Sequence, residues 1–149
     1  MNTLANRPTH APLPFAANPA IADTAALVGR ILLAVIFIKS GWGKIGGFEQ
    51  TAAMMASQGL PIAEVLLAVT ILVELGAGIL LVIGYKARWA ALAIALWLVP
   101  VTFVFHKFWG IPADQVMNQT NHFLKNVAIF GGMLMVFAFG PGRYGLDSR

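Results

Sequence analysis

Four long apolar runs, at 25–43, 62–84, 89–108 and 122–140, divide the chain. Each is near the roughly 20 residues that a membrane-spanning helix needs. Pro61 stands at the start of the second run and Gly84 at its end, where helix termini favour them. Pro100 lies inside the third run and should kink it. Between the first two runs, Phe48, Ala52 and Met55 recur at helical spacing, which predicts a short interfacial helix before the turn Gly59-Leu60-Pro61. The second and third runs are joined by the tight turn Tyr85-Lys86-Ala87-Arg88, so they should pack as antiparallel neighbours. Residues 109–121 hold Asp114, Gln115, Asn118, Gln119 and Asn121, and are expected to form a polar connection. The pattern predicts an all-α fold, a polytopic membrane four-helix bundle over 25–147.

Residues 1–24 carry Pro8, Pro12, Pro14 and Pro19 without helical periodicity, and read as an extended tail. A signal peptide is not expected, because a charged start, short apolar core and cleavage site do not occur together.

Composition supports the membrane reading. The 149 residues are 58% hydrophobic and only 11% charged, against about 25% charged in a globular domain. The absence of cysteine excludes disulfides, thiolate chemistry and cysteine-ligated metal or iron–sulfur sites. Flavin, quinone and histidine-ligated haem stay open. The net charge of +4 is dispersed. It suits loops facing anionic lipid and not a nucleic-acid patch. Arg7, Lys86, Arg88, Arg143 and Arg149, with Arg30 just inside the first run, fall on the side of both termini. Lys44 and Lys107 fall on the other side, with Lys39 and Lys125 just inside helices. The positive-inside rule therefore puts both termini in the cytoplasm, in a multi-pass protein of the cytoplasmic (inner) membrane. Trp89 near one boundary, and Trp42 and Trp109 near the other, suit an aromatic belt.

Against this background the buried polar residues stand out. Glu74 lies about 15 Å along the helix axis from Gly84, too deep to reach water. A carboxylate there must be protonated, paired or turned to a wet cavity. It shares a helix face with Ala63, Thr70, Ala77 and Gly78, whose small side chains permit close contact. It is either a functional acid or a bridge between helices. His122, Lys125 and Asn126 cluster on one face at the start of the fourth run, and Thr102 and His106 lie one turn apart in the third. Either histidine also suits an interfacial side chain bonded to water. Their spacing does not call for a metal. Topology gathers Lys39, Lys44, Glu64, His106, His122, Lys125 and Asn126 in the outer half of the bundle, with Glu74 below them. The arrangement predicts a polar pocket opening outward above an acid, a common form of ligand site.

These residues occur in blocks that resemble the DoxX family of small membrane proteins. The blocks are Arg30, Phe37, Ser40-Gly41 and Lys44; Gly59-Leu60-Pro61 and Glu74 within VELGAGILLVIG; GYKARWAAL; FHKFW; HFLKNVAIFGG; and GPGRYGLD. The likeness covers about residues 27–147, with Ala34 standing where the family often has glycine. It implies a four-helix membrane bundle, in which Arg30, Lys44, Glu74, Lys125 and Asn126 are the family-type polar residues. It implies function more loosely, since the family's name comes from a subunit of a quinone-linked thiosulfate-oxidising system. The leading expectation is an integral membrane subunit of a redox system. Arg30, Lys44, Glu74, His106, His122, Lys125 and Asn126 are its candidate ligand residues, Glu74 is the candidate proton relay, and quinone is the candidate cofactor. A partner membrane or redox protein would supply the electrons, and homo-oligomers stay open. A non-catalytic assembly or anchoring subunit, and a small-molecule or ion carrier, are the alternatives.

The stretch FIKSGWGKIGG puts two lysines at the end of the first run. Lys39 and Lys44 are about 140° apart on a regular helix, so they cannot both face one pocket. Lys44 is expected at the pocket and Lys39 on the outer wall, snorkelling or facing a partner. Gly43, Gly46 and Gly47 threaten this reading, because they could end the helix before Lys44.

Overall fold

Asn18 opens the first helix, its side chain accepting a hydrogen bond from the Ala20 amide at 3.1 Å, with Pro19 at the first helical position. In the computed structural model, which describes residues 18–147, α1 spans Pro19–Gly46. The expected extended tail is thus corrected over 19–24. A proline at the first helical position starts a helix instead of breaking one, because its missing amide is one the helix leaves unpaired anyway. The remainder of that tail, residues 1–17, lies outside the described residues. Helix α1 runs through Gly43 and Lys44 and ends at Gly47, so the glycines do not stop it early.

The interfacial helix is present as α2, Phe48–Ser57, burying Ala52 and Met55. Helix α3 spans Ala63–Ile83, with a π-helical stretch over Leu72–Ala77. Helix α4 spans Ala87–Phe105 and carries Pro100 in its interior. Helix α5 spans Ala113–Phe139. The expected polar connection over 109–121 is therefore corrected, since most of it forms the first turns of α5. Its polar residues are solvated helix, and Asp114 in the first turn suits the positive end of the helix dipole.

Four of the helices are long and apolar enough to span a membrane: α1, α3, α4 and α5. Helices α4 and α5 pack along each other, and α1 packs against α3. The core where they meet is rich in small side chains: Ala34, Ala77, Ala87, Ala90, Ala91 and Ala95, closed by Leu81, Ile94 and Met133. Without a hydrophobic drive between helices in lipid, such residues gain association through close van der Waals contact. A second cluster, of Ala52, Met55, Ala63 and Leu67, seats α2 on the start of α3. Large apolar side chains point outward instead, among them Leu32, Trp42, Leu72, Leu96 and Phe139, as the lipid-facing wall of a bundle requires.

Arg30 locks one end of the bundle. It is 2% exposed. Its Nη1 donates to the Leu81 carbonyl at 2.9 Å, and its Nη2 to the Tyr144 carbonyl. Leu81 lies in the last turn of α3, where its carbonyl also accepts from the Gly84 amide at 3.2 Å and a cation is favoured. The amides of Leu146 and Asp147 pair with the carbonyls of Ile83 and Gly84. The segment after α5 is thereby tied to the end of α3.

Candidate functional site

The π-helical turn places Glu74. π turns are rare and frequently occur at functional sites, and this one faces a close contact of α1 with α3. A Cβ added to Gly41 would sit 2.8 Å from Leu75 Cγ and 3.2 Å from Glu74 Cβ. Glycine at 41 therefore lets the two helices close on each other. Thr70, Ala77 and Ala63, on the face shared with Glu74, are all buried.

Across this contact, Lys44 Nζ donates to both carboxylate oxygens of Glu74, at 3.0 and 2.9 Å. It also donates to Ser40 Oγ, one turn below it on α1, and Ser40 donates to Glu74 Oε1 at 3.4 Å. The pair resolves the cost of a carboxylate at this depth: Glu74 is paired. Two charges removed from water repay their desolvation only with good geometry and further hydrogen bonds. Ser40 supplies one of these. Lys39, as its place on the helix wheel required, is exposed on the outer wall.

Lys44 and Glu74 border a cavity of about 340 Å³. Phe37, Met54, Met55, Leu98, Val101, Phe105 and Ile129 give it apolar walls, and His106, Lys125 and Asn126 add polar groups. This mixture suits a small ligand with an apolar body and a few hydrogen-bonding atoms. Asn126 is held from behind. Its Nδ2 donates to Thr102 Oγ1 at 3.0 Å, and that hydroxyl donates to the Leu98 carbonyl at 2.6 Å. Thr102→Val should strand the Asn126 amide and lower stability by about 1–2 kcal/mol. Thermal unfolding in detergent would show it, and an unchanged melting temperature would remove Thr102 from the network.

His106 lies just past the end of α4. Its Nδ1 lies within hydrogen-bond distance of Gln119 Oε1, at 3.1 Å. The His122 ring stacks on it, with centroids 5.1 Å apart. Lys125 Nζ donates to His122 Nδ1 at 3.0 Å.

Six of the seven candidate residues thus gather here: Lys44, Glu74, His106, Lys125 and Asn126 line the cavity, and His122 backs His106. Arg30 is the correction. It is absent from the cavity, because the carbonyls at the end of α3 and after α5 take its guanidinium. Ser40 and Thr102 enter the network by signals open to sequence reading, a serine one turn before Lys44 and a threonine on a buried helix face. The π turn at Glu74 has no such signal.

The DoxX family model matches residues 25–107. The chain is 36% identical over 125 residues to the inner membrane protein YqjF of Escherichia coli (strain K12), covering 84% of this chain and 91% of that relative. It is 33% identical over 123 residues to inner membrane protein YphA of the same organism, covering 83% and 88%. A more distant likeness, 27% over 125 residues, reaches the Surfeit locus protein 4 homolog of Schizosaccharomyces pombe, covering 83% of this chain and 36% of that protein. No solved structure matches the chain.

Proposed function

The chain belongs to the DoxX family, and on that premise we propose that it is the membrane subunit of a redox system, binding the head of a quinone or a similar small carbonyl compound beside Lys44 and Glu74. It is a multi-pass protein of the inner membrane, like the bacterial relatives it matches. In this reading both termini face the cytoplasm and the cavity opens toward the outer side.

The observation that carries the reading is an ion pair within hydrogen-bond distance, set in the wall of a mostly apolar cavity inside a membrane bundle. The residues fit a quinone head. Apolar walls accept the ring, and Lys44, Lys125 and Asn126 are donors for carbonyl oxygens. When bound, a quinone supplies two-electron, two-proton chemistry. Lys44 presents a charged donor, and Glu74 takes up or returns a proton through the hydrogen bonds that already join the pair. His106 adds an imidazole to the lining of the same cavity. Cysteine is absent from the chain, so thiolate-held redox centres would belong to a partner protein.

A short-chain quinone titrated into the detergent-purified protein, followed by tryptophan fluorescence, should bind saturably. Lys44→Gln should weaken binding about tenfold, as loss of a charged donor implies. Ile129→Trp, which fills the cavity without touching a charge, should abolish it. No saturable binding, or full binding by Ile129→Trp, would remove the quinone reading.

A further inference from the structure

A larger cavity, of about 740 Å³, lies at the other end of the bundle, between the α3–α4 turn, the start of α1 and the end of α5. Five charged side chains reach it: Lys86, Arg88, Arg143, Asp23 and Asp147. Two of them engage each other. Arg143 Nε lies 3.9 Å from Asp23 Oδ2, and the Arg143 amide donates to Asp23 Oδ1 at 3.1 Å. Arg88 is fixed by the carbonyls that end α5. Its Nη1 donates to Phe137 and Ala138 at 2.8 and 2.6 Å, and the rest of its guanidinium lies over Gly140.

Lys86 and Asp147 are different. They line the same cavity, yet neither has an ionic partner among the described residues. Both are held by the backbone. Lys86 sits in the left-handed region at φ 49°, and the Asp147 amide donates to the Gly84 carbonyl at 2.9 Å. A cation and a carboxylate kept apart in one cavity match a ligand that carries both signs. The rim says where such a ligand comes from. Trp89 and Phe139 border the cavity and are 67% and 74% exposed, as side chains at a lipid–water boundary are. With three cations against two carboxylates, the cavity has little pull on a simple anion. Phosphate beside ammonium satisfies both sets of groups.

We propose that this cavity binds the headgroup of an amine-bearing phospholipid, with Lys86 and Arg88 taking the phosphate and Asp147 the ammonium. The guanidinium and lysine ammonium suit phosphate oxygens. The carboxylate accepts N–H bonds that a quaternary ammonium cannot donate.

Native mass spectrometry of the full chain, with equal amounts of phosphatidylethanolamine, phosphatidylglycerol and phosphatidylcholine, tests this. Phosphatidylethanolamine should be retained about fivefold over either competitor, the value of one charge contact near a membrane surface. Asp147→Asn should shift the preference about fivefold toward phosphatidylglycerol. Lys86→Asn should weaken both lipids, and asparagine tolerates the left-handed backbone there. Lys39→Gln, far from the cavity, should change nothing. Equal retention of the three lipids by the unaltered protein, or a preference for phosphatidylglycerol, overturns the proposal whether or not a variant folds. Soluble phosphoethanolamine or inorganic phosphate that displaces the lipid at equal concentration would overturn the lipid assignment.

Discussion

Replacing Lys44 with methionine should lower the stability of the protein by about 3 kcal/mol, and adding Glu74→Gln should restore most of the loss. Breaking a buried ion pair on one side is costly because the remaining charge keeps its desolvation penalty without compensation. Glu74 is the more enclosed partner, with its side chain 11% exposed against 24% for Lys44. The lysine is therefore the partner whose loss should be felt. Unfolding of the single and double variants in mild detergent gives both results. A single variant as stable as the parent, or a double variant no better than the single, would show that cavity water already solvates Glu74 and that the ion pair contributes little.

Gly84→Ala should be more damaging, costing about 3–5 kcal/mol and leaving little monodisperse protein after extraction. Residue 84 has φ 68°, where a Cβ alone costs about 1–2 kcal/mol. The new methyl would also lie 2.5 Å from Gly145 Cα and inside the guanidinium of Arg30. Backbone on one side and a buried, doubly bonded arginine on the other leave no flexible end to yield. Moving Arg30 would take the guanidinium donors away from the carbonyls of Leu81 and Tyr144. Gly43→Ala is the matched control. Nothing lies within 4 Å of its added Cβ, and alanine in a helix is favoured over glycine by up to about 1 kcal/mol. Equal melting of Gly84→Ala and the parent would refute the clamp at the end of α3.

The apolar runs locate the four spanning helices well and their ends poorly. Hydropathy marks the part of a helix that meets lipid, and the hydrogen-bond ladder continues past it. Helix α5 thus begins at Ala113 within a polar stretch, and α1 begins at Pro19 within a proline-rich one. The short helix α2 is legible because Phe48, Ala52 and Met55 recur on one face, and that face packs on α3.

The candidate site divides in the same way. Gly41, and the small residues on the Glu74 face, announce close helix contact in the sequence, and α1 meets α3 there. The wheel separates Lys39 from Lys44, since α1 stays regular through Gly43 and Gly46. Arg30 shows the limit. It shares a stripe with Lys44, so a wheel groups the two, although they serve opposite ends of the bundle.

By itself the sequence determines that this chain is a four-span helical membrane protein with an acid too deep to be solvated from either surface. Length, apolar periodicity and the spacing of charges are enough for that. Only the tertiary structure decides which partner each buried charge receives: Lys44 for Glu74, and backbone carbonyls for Arg30. The physical reason is geometric. A helical wheel gives the direction of a side chain about its own axis, but not the rotation or height of the helix that faces it. The π turn at Leu72–Ala77 then shifts the wheel at the residue where the pairing is made.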